Sequence, residues 1–334
     1  MTFEPDPVQE SALEVLRRER RFLLIGHQRP DGDCLGAQAA LARILQLLGK
    51  EVTIVNPDPP EARFDYLTGS GPFRSWPLED RNGKLPEHDV VVLLDFNELA
   101  RSGPVGALAG QAPSKKLVID HHPYAGEPWW DEAFVDVGAS ASGILAYRIA
   151  RLLDVELDEI IAHAVFTSIA TDTGWFRYSN TNLETMSVAA ELMQHGVEPW
   201  KLYRQIYQRS PAGEPRALAR VLDRTEYFAD GRLAVIDQPL TLDGGAPPSD
   251  GDAVLDILRA VDTVEVVLYV REVDVDVVKL SARSKTDYDV NVLARKFGGG
   301  GHVKASGATI RGPLQDVRAR LIEAAASGFA AAGS

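Results

Sequence analysis

The sequence is short of several things, and each shortage removes a class of protein. It holds one cysteine, Cys34, so no disulfide can close within the chain, which suits a reducing compartment. No apolar stretch is long enough to span a bilayer, because charge interrupts every one. The first residues, MTFEPDPVQE, lack the basic-then-apolar layout of a secretory signal. Basic residues are outnumbered, 35 Lys and Arg against 48 Asp and Glu, and the net charge of -13 argues against tracking long duplex nucleic acid by bulk electrostatics. Internal repeats are also missing. These shortages point to a cytoplasmic globular protein without a membrane partner. They leave room for a small phosphorylated substrate met by a local site.

What is present reads as two domains, the default for 334 residues. In the first part, RFLLIG (21–26), EVTIVN (51–56), DVVVLLDF (89–96) and KKLVID (115–120) are short, apolar and β-branched, as strands buried on both faces are. Helical periodicity runs over 33–50, 140–153 and 157–171. Strand and helix in alternation predict a parallel α/β sheet. The Pro- and Gly-rich stretch from 56 to 89 predicts a long irregular connection with one short helix. We place the first domain at 1–185, a helical linker at 186–214 and a smaller mixed-sheet α/β domain at 215–334. The apolar helix at 140–153 offers a surface for a homodimer.

Polar side chains collect at the expected strand ends. HQRPDGD (27–33) supplies His27, Asp31 and Asp33 after the first strand, and LLDF supplies Asp95. VIDHH supplies Asp120, His121 and His122, and ATDTGWF supplies Asp172 after a helix. Ligands in open α/β sheets gather beyond the carboxyl ends of the strands, so these groups can converge on one edge. Packed carboxylates repel one another, and bound cations relieve that repulsion. Carboxylate and imidazole without thiolate suit a hard to borderline divalent ion. The imidazoles favour Mn²⁺, with Mg²⁺ and Co²⁺ as alternatives. The donors suffice for two ions about 3.5–4 Å apart that share a carboxylate, an arrangement suited to phosphoryl hydrolysis. Four glycines at 298–301 let backbone N–H groups approach an anion, with Arg283, His302 and Lys304 as charges or donors.

These motifs together resemble the DHH family of phosphoesterases. HxxPDxD at 27–33, the strand-end Asp95, DHH at 120–122 and TDTG at 171–174 stand in that family's order, and GGGGHVKASGA (298–308) resembles its associated C-terminal domain. The FRYSNT stretch and the run from SARS to GGGGH are most similar to the oligoribonuclease and pAp phosphatase branch. The resemblance implies one ion on His27, Asp31 and Asp95, and a second on Asp33, Asp95, His121 and Asp172, with Asp95 bridging and the water between the ions as nucleophile. It implies that His122 faces the phosphate and that Asp120 orients the histidines. Arg283, Ser284, Gly299, Gly300, Gly301, His302 and Lys304 would hold the substrate in a cleft between the domains. The implied substrates are oligoribonucleotides of two to a few residues, pAp and dinucleotides.

Other readings stay open. The same chemistry fits a phosphodiesterase for linear or cyclic dinucleotides such as pApA, pGpG or cyclic di-AMP, and a non-catalytic nucleotide sensor is a reading of another class. Arg101 contacts phosphate or pairs with a surface acid. Asp33 can also cap its helix, and Cys34 reads as a small buried filler. Trp129 and Trp130 either stack on a base or pack, and Tyr178 and Asn180 are candidates for the nucleotide pocket.

Overall fold

The computed structural model describes residues 3–69, 71–78, 83–124, 126–241 and 251–331. They form two compact units, Met1–Arg209 and Ser210–Ser334. In the first unit the chain runs α1 (Pro7–Arg18), β1 (Arg21–Ile25), α2 (Gly32–Leu47), β2 (Glu51–Asn56), α3 (Asp65–Thr68), β3 (Phe73–Ser75), β4 (Val90–Leu94) and α4 (Gly103–Gln111). It continues through β5 (Lys115–Asp120), β6 (Glu132–Val135), α5 (Ser142–Leu152), α6 (Glu159–Asp172), α7 (Leu183–Gln194) and α8 (Pro199–Tyr207). The six strands lie in the order β3-β2-β1-β4-β5-β6, all parallel. Strand order reverses between β1 and β4, and the carboxyl ends flanking such a reversal form a crevice. His27 follows one of these strands and Asp95 the other.

The apolar runs become strands because both faces of the sheet are covered. One face packs on α1, α2, α5 and α6 through residues such as Leu24, Leu41, Ile144 and Val165. The other face packs on α4 and on the half-buried Trp129 and Trp130. Helices α2 and α6 approach closely at Gly36, where an added Cβ would sit 2.5 Å from the carbonyl oxygen of Ala164. Backbone cannot yield as a side-chain tip does. Gly36→Ala should therefore destabilise the unit by about 1–3 kcal/mol, and an unchanged thermal midpoint would disprove the tight contact.

Three expectations differ from this architecture. The irregular connection also carries an edge strand, β3, which three residues are too few to announce. Residues 186–207 are not a free linker, since Val188, Ala189, Leu192 and Leu202 are buried in the core of the first unit. Helix α5 is no dimer surface: Ile144, Leu145, Ala146, Ile149 and Ala150 are all fully buried, so its apolar face belongs to the fold.

The second unit comprises α9 (Glu214–Leu222), β7 (Glu226–Phe228), β8 (Leu233–Gln238), α10 (Gly251–Arg259), β9 (Val266–Asp274) and β10 (Val277–Ser284), then α11 (Val290–Arg295), β11 (Gly300–Gly301), β12 (Ala305–Arg311) and α12 (Leu314–Ala331). Its sheet runs β11-β12-β10-β9-β8-β7 and is mixed, with β8 and β9 parallel and the other pairs antiparallel. Among the described residues, no helix is long and apolar enough to cross a membrane.

Candidate metal centre

The turn after β1 delivers the first donors. Asp31 is the N-cap of α2, its Oδ1 accepting the N–H groups of Asp33 and Cys34, each at 3.1 Å. The cap is thus Asp31, and Asp33, two residues later, points inward and is 1% exposed. Asp33 accepts the N–H of Ser142 (2.9 Å) and that of Gly143 (3.3 Å), the first donors of α5, and the hydroxyl of Ser168 on α6. A helix N-terminus presents unsatisfied donors, which suits a carboxylate.

Asp95 follows β4 with φ +67°, a left-handed conformation that aspartate tolerates better than most residues. The turn aims the carboxylate across the crevice. Its Oδ2 lies 3.4 Å from His27 Nε2, and its Oδ1 lies 3.5 Å from His121 Nε2 and accepts the Ser142 hydroxyl at 3.0 Å. One carboxylate therefore presents an oxygen to each of two histidines.

The DHH stretch divides its labour. Fully buried Asp120 accepts the backbone N–H of His122 (3.2 Å) and its Nδ1–H (2.7 Å) through Oδ1. His121 leans instead on the Ala139 carbonyl through Nδ1 (3.2 Å), so its Nε2 faces Asp33 (3.3 Å), Asp95 and Asp172 (3.9 Å). Asp120 thus bonds His122 at both its backbone and its ring nitrogen. His27 follows the same rule as His121, with Nδ1 on the Gln28 carbonyl (2.9 Å) and a buried Nε2 that makes no hydrogen bond among the described residues. Nε2 also lies 3.9 Å from Asp31. A histidine whose far nitrogen is tied to a carbonyl is the usual state of a metal ligand. Asp172 closes α6, and Asn180 Nδ2 bonds both its Oδ2 (3.0 Å) and the Ser140 carbonyl (3.0 Å). Asn180 thus holds a carboxylate, and the ring of Tyr178 lies over Gly174.

Electrostatics explain why such a cluster wants cations. Burial raises the pKa of Asp33 to about 6, and the charge of Asp95 adds to the rise. Burial also pushes Asp172 well up, with Asp33 adding to it. Asp95 escapes this: burial opposes its charge, but His121 and His27 overrule burial and hold it well below the usual carboxylate range. His27 shows the converse, burial opposing protonation while Asp95 and Asp31 raise it to about 9. Atoms of Asp33, His121 and Asp172 lie within 4.8 Å of one another, as do atoms of His27, Cys34 and Asp95. The Cys34 thiol is pushed far up by burial, so it stays neutral and is a poor ligand. Arg101 sits in a 3-10 turn (Leu99–Ser102) whose Arg101 carbonyl accepts the Gln28 N–H at 2.7 Å. Its charge opposes protonation of His27, and it pairs with no carboxylate among the described residues.

In the second unit the glycine-rich residues gather at one end of the sheet. Arg283 and Ser284 end β10, and Gly300 and Gly301 pair with Gly307 and Ser306 of β12. Gly299 must be glycine, since a Cβ would meet the Gly307 carbonyl at 2.1 Å. The N–H groups of Gly299 and His302 serve the chain itself, donating to Ala294 (2.9 Å) and Ala305 (2.8 Å). The Ser284 hydroxyl donates to Thr286 (3.0 Å), Lys304 reaches the same Thr286 carbonyl, and Arg283 pairs with Asp252 at 2.9 Å.

Comparison with known proteins agrees with this division. Residues 21–170 match the model of the DHH family, N-terminal domain, and residues 235–330 match that of the DHHA1 domain. A Thermus thermophilus protein named as the bifunctional oligoribonuclease and PAP phosphatase NrnA is 34% identical over 96% of this chain and 94% of its own length. The chain belongs to the DHH family. A Bacillus subtilis protein of the same name is 27% identical over 86% of this chain and 89% of its own. An exopolyphosphatase-related protein from Bacteroides fragilis shares the fold, with a TM-score of 0.88 at 24% identity over 98% of both chains. Membership makes the protein a phosphoesterase hydrolase.

The motifs left several members of the DHH centre unread. Ala139, Ser142, Gly143 and Ser168 each touch a motif residue by hydrogen bond, and Asn180, read for the nucleotide pocket, bonds Asp172. The signal available was ASASG at 139–143, small residues with donors opening a helix, but that composition alone also describes an ordinary loop.

Proposed function

We propose that the protein is a Mn²⁺-dependent phosphoesterase that releases 5'-mononucleotides from oligoribonucleotides of two to a few residues and converts pAp to AMP. The observation that carries the two-ion form is Asp95, with Oδ2 toward His27 and Oδ1 toward His121. His27, Asp31 and Asp95 would hold one cation, and Asp33, Asp95, His121 and Asp172 the second. Bound there, two divalent cations supply a nucleophilic water near neutral pH and offset charge on the phosphoryl group. His122, held by Asp120, would face the phosphate as a donor or proton carrier. The names of the Thermus and Bacillus relatives support the substrates.

The test is hydrolysis of pApA, pAp, a long RNA and cyclic di-AMP by the purified protein, with Mn²⁺ or with EDTA. Fast Mn²⁺-dependent loss of pApA and pAp, with little attack on the others, is the expected result. Preference for the long strand or the cyclic dinucleotide would overturn the substrate assignment.

Two further outcomes are expected. Arg283, Ser284, His302, Lys304 and the glycines 299–301 would bind the substrate, with Arg283 meeting a terminal phosphate. Arg283→Ala then raises KM about tenfold or more, the worth of a charge-assisted bond, with Mn²⁺ binding unchanged. An unaltered KM removes Arg283 from that role. Cation binding also requires a neutral His27, whose pKa is raised to about 9, and an ionised Asp33, raised to about 6. Protons are therefore released on binding; for the cation on His27 one proton leaves, and its affinity climbs with pH by about tenfold per unit until His27 deprotonates unaided. Calorimetry of Mn²⁺ binding in buffers of different ionisation enthalpy reads the released protons, and a flat profile would contradict the assignment of His27.

A further inference from the structure

We propose that Asn97 and Trp129 are positioning residues that fix the ring of His122, an inference that rests on the phosphoesterase reading above. His122 lies two residues beyond Asp120, the last residue of β5, and Pro123 follows it. A residue before proline is confined to extended backbone, which limits the conformation without aiming the ring. Side chains do the aiming. Asp120 takes the His122 N–H and Nδ1–H on one oxygen, at 3.2 and 2.7 Å. On the other side, the Asn97 Nδ2–H donates to the His122 carbonyl at 3.2 Å. Both peptide groups of His122 are thereby held, and the bonded Nδ1 makes Nε2 the nitrogen directed at a phosphate.

Asn97 is itself fixed. It is 5% exposed, and its carbonyl accepts the indole Nε1–H of Trp129 at 2.9 Å. Trp129 stands in the connection between β5 and β6 and packs against the core that includes Leu23, Ile25, Val91 and Val118. Its polar edge and apolar body have separate jobs: the body anchors in the core, and the edge pins the loop after β4. A chain of two hydrogen bonds thus joins that core to the histidine. This accounts for Trp129 without a base stacked on it.

The clamp is tested by two variants. Asn97→Ala removes the bond to His122, and Trp129→Phe keeps the ring packing while removing one donor. Loss of a group that orients an active residue costs about 10- to 100-fold, so Asn97→Ala should lose that much kcat. KM should stay within about twofold, and the Mn²⁺-dependent rise in thermal midpoint should persist. Trp129→Phe should lose kcat in the same direction by a smaller factor. The His122 Nδ1–H resonance in proton NMR should move in both. Unchanged kcat and an unmoved resonance in folded Trp129→Phe would overturn the proposal, even where Asn97→Ala fails to fold. If wild type hydrolyses none of the four substrates, the substrate reading falls while the resonance still tests the clamp.

Discussion

Asp95→Ala is expected to abolish hydrolysis of pApA and pAp alike. On the proposed centre the residue would serve both cations, each supplying several kcal/mol of charge stabilisation, so a loss of about 10⁴-fold or more in kcat/KM follows. Alanine at φ +67° would add backbone strain of its own. Asp95→Asn separates the two effects, because asparagine tolerates that conformation and loses only the charge. An Asn variant that folds like wild type and retains substantial turnover would remove Asp95 from its bridging place. Loss of Mn²⁺ binding in the same variant, read by calorimetry, is the matching positive result.

The second large effect separates two adjacent histidines. His122→Ala should lower kcat by about 10²–10⁴, the range for a general acid or base, while Mn²⁺ still binds. His121→Ala should lose a cation, because its Nε2 faces Asp33, Asp95 and Asp172. The geometry already divides them: His122 gives Nδ1 to Asp120, whereas His121 gives Nδ1 to the Ala139 carbonyl. Equal loss of metal in both variants would contradict that division.

Legibility in the sequence followed burial. The central strands announced themselves because both faces are covered, and KKLVID became β5 over the expected residues. Edge strands such as β3 and β7, three residues each, carry too little pattern to read. The polar residues at strand ends were visible because Asp and His are costly there without a purpose. The residues that hold them were not, since Ser142 and Ala139 act largely through backbone groups that every residue owns. The helical segment after TDTG read as a linker because apolar residues stand on both of its faces, Met186 and Met193 exposed while Val188 and Leu192 pack inward, so no single buried stripe stands out. Asp33 read as a possible cap because a carboxylate at a helix start serves either purpose, and only the fold shows that Asp31 caps.

The sheet order also bears on how the protein is made. β1 lies between β2 and β4, so its second neighbour is translated long after it. The donors are equally scattered, from His27 to Asp172, and among the described residues the Asp33 side chain accepts its hydrogen bonds from α5 and α6. Chains emerge from the ribosome N-terminus first and fold domain by domain. A nascent chain halted before α5 therefore carries His27, Asp33 and Asp95 without the Ser142 and Gly143 donors that hold the two aspartates. On the proposed metal centre, cation loading would be a late event in synthesis and would report that the first unit is complete.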